Sequence, residues 1–151
     1  MGFFDGYNVA TSGMSAQRER INIVSSNIAN SQTTHSKDGG PYKKQNVVFE
    51  EVLLETNNKL NKNNKVHEDE NQLSLKGVGV REIIEAKSEP IMKYEPTHPD
   101  ANKDGYVAYP NINPVIEMVD LIEAMRSYEA NVSAFKTQKD LDTKTLDIIK
   151  T

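Results

Sequence analysis

Residues 5–30 read DGYNVATSGMSAQRERINIVSSNIAN, and the spacing of their apolar side chains decides what the rest of the chain must do. Tyr7, Ala10, Met14, Gln17, Ile21, Val24 and Ile28 recur in alternating steps of three and four, with Gln17 the only polar member. Such a repeat predicts an α-helix with a narrow seam along one side, suited to packing against another helix. At roughly 1.5 Å per residue the helix would reach about 39 Å. Short hydrogen-bonding side chains at Ser31, Thr33 and Thr34, and then Gly39-Gly40-Pro41, end it because each disfavours continuation.

The other end of the chain carries a matching element. Asn113-Pro114 is a strong helix start: Asn is a favoured N-cap, and proline at the first helical position lacks an amide that would need a partner there. From Pro114 to Lys150 the seam runs Met118, Leu121, Met125, Tyr128, Val132, Phe135, Lys139, Asp142, Leu146 and Ile149. That is about 55 Å of helix if unbroken, and the adjacent polar members Lys139 and Asp142 predict a local loosening.

Between the helices the pattern changes to short β-rich runs separated by turns. Tyr42–Phe49, Leu73–Ile84, Ile91–Tyr94 and Tyr106–Tyr109 read as strands. Residues 56–74 are Asn/Lys-rich and then acidic, too poor in apolar groups to offset ordering entropy, and are expected to form a mobile loop. The fold class is therefore α+β: an N-terminal helical segment over 1–34, a small irregular β-rich insert over 35–112, and a C-terminal helical segment over 113–151. The long helices are expected to pair as a coiled-coil-like hairpin.

Bulk properties exclude several functions. The chain has 151 residues, 36% apolar, a net charge of −4 with both signs interspersed, and no cysteine. No basic stripe is present to neutralise nucleic-acid phosphates, and no apolar run approaches a membrane span, so neither nucleic acid nor direct membrane insertion is expected. The N-terminus lacks the regions of a cleaved secretory signal. Gly2 is read as a helix start in preference to a myristoylation site, because that motif is short and no Ser or Thr, which it wants, stands between Gly2 and Tyr7 or at Tyr7 itself. Disulfides and thiolate metal sites are excluded.

Candidate chemistry is thin. Asp100, Asn102, Asp104 and Gly105 spell the first half of a calcium loop, but Asn111 stands where the bidentate Glu belongs, and Pro96 and Pro99 forbid the preceding helix. An Asx-rich turn between strands is the better reading. His35, His67 and His98 lack the one-turn spacing of a helical metal site. Glu82 replaces the third glycine of a dinucleotide motif after Gly77-Val78-Gly79, and Ser25 and Ser26 lack a nucleophile elbow. No cofactor and no catalytic constellation is expected.

Two seams on one chain permit a closed hairpin or an assembly subunit. Ile23, Val115, Ile116, Val119, Ile122 and Ile148 lie off the seams and would stay wet in a lone pair, whereas neighbouring copies would cover them. Periodicity alone leaves both open.

Particular segments go further. Val24-Ser25-Ser26-Asn27-Ile28-Ala29-Asn30 resembles the N-terminal signature of the bacterial flagellar rod and hook family. So do Gly39-Gly40-Pro41-Tyr42-Lys43-Lys44-Gln45, the stretch from His98-Pro99-Asp100 through Gly105-Tyr106-Val107-Ala108-Tyr109-Pro110-Asn111, Glu117-Met118-Val119-Asp120, and Tyr128-Glu129-Ala130-Asn131-Val132. The resemblance covers about residues 1–50 and 76–150. It implies a non-enzymatic subunit of the proximal rod of the basal body, extracytoplasmic after passage through the flagellar type III export machinery. It also implies partners among other rod proteins, copies of itself and the junction with the motor ring and export gate. The interface residues would be Tyr7, Met14, Ile21, Val24, Asn27, Ile28, Asn30, Met118, Leu121, Met125, Tyr128, Asn131, Val132 and Phe135. Asn27 and Asn30 are expected to fix axial register through amide hydrogen bonds; the alternative leaves Asn30 as a helix cap and Asn27 in solvent. The rival function is a coiled-coil adaptor or secreted binding module that uses the β insert.

Overall fold

The computed structural model describes residues 5–37, 39–54 and 76–149. The Asn/Lys segment read as a mobile loop, the first residues of the expected strand at Leu73, and Gly2 lie outside them. The elements are α1 (Asp5–Ala29), β1 (Gln45–Leu53), β2 (Lys76–Glu85), β3 (Ile91–Tyr94), β4 (Tyr106–Tyr109) and α2 (Pro114–Ile149). Long terminal helices with a small β region between them make the fold α+β.

The start of α2 follows the sequence logic. Asn113 Oδ1 accepts from the amide of Val115 at 3.0 Å, and its carbonyl accepts from Glu117 N at 3.1 Å. Pro114 takes the position where a missing N–H costs nothing. The helix runs unbroken through Lys139 and Asp142, so the expected loosening does not occur. Lys139 is exposed, and Asp142 accepts Tyr7 Oη at 2.6 Å and Gln138 Nε2 at 3.1 Å.

Among the described residues the strands form two separate two-stranded sheets. β1 and β2 are antiparallel, from Gln45 opposite Glu85 to Leu53 opposite Lys76, and a bulge beside Val48 and Phe49 leaves Arg81 unpaired in the register. β3 and β4 pair antiparallel from Ile91 opposite Tyr109 to Tyr94 opposite Tyr106. The first strand begins at Gln45, later than the pattern suggested, because Tyr42 is held in the loop by its amide's bond to Thr33 O at 3.0 Å.

α1 is the central element. One side packs on α2, and another carries the β1–β2 hairpin, which lies along it from Ser12 to Asn27. At one end Ser12 Oγ accepts from Val78 N at 3.2 Å; at the other, Asn27 meets Gln45. Gly77 is required there, since a Cβ would fall 2.7 Å from Ser12 Oγ. The buried apolar residues are Ala10, Ala16, Val24, Val107, Ile112 and Ala124, a core made largely of small side chains.

Candidate assembly interface

The two helices are antiparallel and meet in a seam that is a heptad, although not the one the apolar residues trace. Gly6 faces Gln138, Gly13 faces Asn131, and Asn27 bonds Glu117. Every seven-residue step along α1 is thus matched by an equal step back along α2. The same register sets Arg20 opposite the fully buried Ala124, and the Arg20 guanidinium spreads to Asp120 at 3.8 Å and Glu123 at 3.7 Å. The Asn131 and Gln138 side chains lie over α1 where the glycines stand: a Cβ on Gly13 would lie 2.8 Å from Asn131 Nδ2, and one on Gly6 3.3 Å from Gln138 Oε1.

Half of the expected seam is therefore displaced by one residue. Ala10, Gln17 and Val24 on α1 and Leu121, Tyr128 and Phe135 on α2 belong to both versions. Gly6, Gly13, Arg20 and Asn27 replace Tyr7, Met14, Ile21 and Ile28 as the closest-approach positions, and those four flank the seam half-buried. On α2, Glu117, Ala124, Asn131 and Gln138 replace Met118, Met125, Val132 and Lys139. Val132 is half-buried, while Met118 and Met125 stand 51% and 48% exposed on the outer side. The facing positions pair a small residue with a polar one, glycine under Gln138 or Asn131 and Ala124 opposite Arg20, except at the hydrogen-bonded Asn27–Glu117 rung. Tyr7 still crosses to α2, where its ring sits edge-on to Phe135 with centroids 4.9 Å apart. The hydrogen bond to Asp142, then partial loss of hydration and the nearby charges of Asp142 and Asp140, push the Tyr7 phenol up to about 12.

At the other end of the seam Asn27 is 1% exposed and uses its whole amide. Its Nδ2 donates to Gln45 O at 2.8 Å and to Glu117 Oε2 at 3.0 Å; its Oδ1 accepts from Gln45 N at 3.0 Å and Tyr42 Oη at 3.1 Å. Glu117, also 1% exposed, is completed by Lys44 Nζ at 2.5 Å. Two segments distant in sequence, residues 42–45 and the start of α2, close on this one side chain, so the reading of Asn27 as solvated does not hold. Asn30 differs. Its Nδ2 turns back to Ser26 O at 2.9 Å and its Oδ1 accepts from Thr33 at 3.2 Å, so it caps its own helix.

Tyr42, Gln45 and Glu117 as partners of Asn27, and Lys44 as the partner of Glu117, were missed because none lies near Asn27 in sequence. Gly6 and Gly13 did leave a signal: a glycine inside a helix costs about 1 kcal/mol relative to alanine and calls for a packing reason.

The outer face of α2 presents Val115, Met118, Val119, Ile122 and Met125 within three turns, with Val115 69% and Ile122 53% exposed. Past Arg126 that side becomes charged, with Glu129, Lys136, Asp140, Lys144 and Asp147. In the 98–106 turn, Asn102 Oδ1 accepts from Asp104 N and Tyr106 N, both at 2.9 Å, and Asp100 Oδ2 accepts from Thr34 Oγ1 at 2.7 Å. These oxygens serve an Asx turn and its tie to the loop after α1. Among the described residues no group of three or more His, Cys, Asp and Glu is placed to hold a metal, and no helix is long and apolar enough to cross a membrane.

A terminal helix pair with this architecture matches two family models. The one described as flagella basal body rod protein covers residues 8–34, and the one described as flagellar basal body rod FlgEFG protein C-terminal covers residues 103–148. The first falls on α1 and the turn after it; the second takes in β4 and nearly all of α2. The molecule is thus of the basal-body rod class. Curated relatives narrow the class. Flagellar basal-body rod protein FlgC of Borreliella burgdorferi is 40% identical over 154 residues, 99% of each chain. Those of Bacillus subtilis and Salmonella typhimurium are 39% and 34% identical over 97–98% of each chain. The chain belongs to the FlgC family of flagellar basal-body rod proteins, structural subunits of the basal body.

Proposed function

We propose that the chain builds into the proximal part of the rod through its terminal helix pair, without catalysis, and carries motor torque toward the hook. The observation that carries this reading is the outer stripe of α2, where Val115, Met118, Val119, Ile122 and Met125 remain uncovered although α1 and α2 have already paired. Contiguous exposed apolar surface on one side of a helix marks a surface that another protein covers. Copies of the chain and other rod proteins are the partners that fit a family of rod subunits. Contacts with the motor-ring and export-gate junction, passage through the flagellar type III export machinery, and the division into terminal helical segments and a β-rich insert belong to the same reading. The flanking seam residues Met14, Ile21 and Ile28 are half-buried by α1's own neighbours and are accessible to further packing.

The test separates folding from assembly. Val119→Glu and Ile122→Glu alter exposed positions and should leave monomer stability within about 0.5 kcal/mol. The same variants, expressed in a strain lacking the native gene, should yield basal bodies with truncated rods and cells that do not swim. Complete rods carrying the charged stripe would remove the stripe from the interface. Complete rods and hooks in the deletion strain itself would refute the assignment of the chain to the rod.

A further inference from the structure

We infer that Asn27, Glu117 and Lys44 form a register lock, the positioning residues that allow α1 and α2 to pair in one axial alignment only. The inference concerns the chain by itself and stands whether or not the outer stripe is an assembly surface.

The rest of the seam does not select that alignment. Gly6 opposite Gln138 and Gly13 opposite Asn131 are chemically equivalent rungs, each a glycine under an amide. A slip of seven residues would set Gly13 under Gln138 and so again place a glycine under an amide. Tyr7 and Asp142 make a polar contact at the far end, but both are half-exposed, and water replaces a partner lost there. Arg20, opposite Ala124, would meet Asn131 in the slipped pairing, but its side chain and those of its partners Asp120 and Glu123 reach solvent, so the Asn27–Glu117 rung is the fully buried polar rung with no equivalent one heptad away. The slip places Asn27 against Ala124 and carries Glu117 past the end of α1, so a carboxylate now 1% exposed and held by Lys44 at 2.5 Å loses its amide partner. Burying such groups without partners is costly, and fixing register is the best-attested use of a buried polar group in a helix seam.

Lys44 and Gln45 extend the device. Asn27 meets the backbone of Gln45, and Glu117 meets Lys44, so both sides of the lock are completed by the start of β1. The correct alignment of the two terminal helices is therefore recognised only when the loop after α1 has brought β1 into place.

The chain has no cysteine, which makes cysteine-pair trapping unambiguous. In the full-length chain, Gly13→Cys with Asn131→Cys reports the native register, and Gly13→Cys with Gln138→Cys reports the slipped one. One heptad is about 10.5 Å of rise, and Cα atoms more than about 7 Å apart cannot be bridged without backbone movement. With the lock intact, oxidation should cross-link the native pair at least about tenfold faster than the slipped pair. In the apolar triple variant N27L/E117L/K44M the two rates should come within about threefold of each other. An unchanged preference would overturn the inference. Should the triple variant lose its helical circular dichroism, Glu117→Ala alone decides: the preference must fall, and if it holds at the native ratio the lock does not exist.

Discussion

Replacing Asn27 by alanine tests the interior of the molecule most directly, because one side chain ties α1 to both the 42–45 segment and α2. The substitution removes three neutral hydrogen bonds, to Gln45 O, Gln45 N and Tyr42 Oη, and one to the Glu117 carboxylate. At about 1 kcal/mol for each neutral bond and about 2 kcal/mol for the charged one, the gross loss is about 5 kcal/mol. Alanine returns about 0.5 kcal/mol of helix propensity. Water can reach the half-exposed Gln45 and recover part of the rest, leaving a net loss of about 3–4 kcal/mol. For a chain of this length a urea slope of about 1.5–2 kcal/mol/M turns that into a midpoint lowered by about 2 M, read from the helical signal at 222 nm. Asn30→Ala is the control: it removes a local cap and should cost only about 0.5–1 kcal/mol. Asn27→Asp should be worse than alanine, since it turns an oxygen toward Gln45 O and the Glu117 carboxylate where a donor now stands. A midpoint shift under about 0.5 M for Asn27→Ala, or equal shifts at the two asparagines, would refute the reasoning.

Other outcomes follow from the same geometry. The Tyr7 phenol titrates higher in the folded chain than its ordinary value of 10.0, so its contribution is complete below pH 10 and is lost as pH rises through about 12; helicity should fall over that window in the native chain, and Tyr7→Phe should flatten this part of the profile. Gly13→Leu should destabilise the helix pair by about 1–3 kcal/mol despite leucine's better helix propensity, and Asn131→Ala in the same chain should recover part of the loss, a non-additivity that a double-mutant cycle on thermal melts would measure. Gly105 has φ +80°, and a Cβ there would lie 2.9 Å from the Tyr94 ring, so Gly105→Ala should cost about 1–3 kcal/mol and show as faster amide exchange in β3 and β4.

The main elements were legible in the sequence. Asn113-Pro114 set the start of α2, because capping chemistry is local, and β3 and β4 fell where their β-branched and aromatic runs predicted. It also carried the family, through the signature ending at Asn30, the Gly39–Gln45 segment and the run into α2, all of which resemble the rod proteins. What it misplaced was the seam. Apolar periodicity selects the nearest large hydrophobic residue, so it took Met14 for Gly13 and Met118 for Glu117, while the true line of contact is held by residues that are small or polar. The tertiary pairing reveals this, because which residue faces the partner depends on how the two helices are aligned and rotated against each other. The same holds for Asn27. Its role depends on Tyr42, Lys44 and Gln45 folding back and on Glu117 arriving 90 residues later in the chain, and no local pattern encodes that meeting.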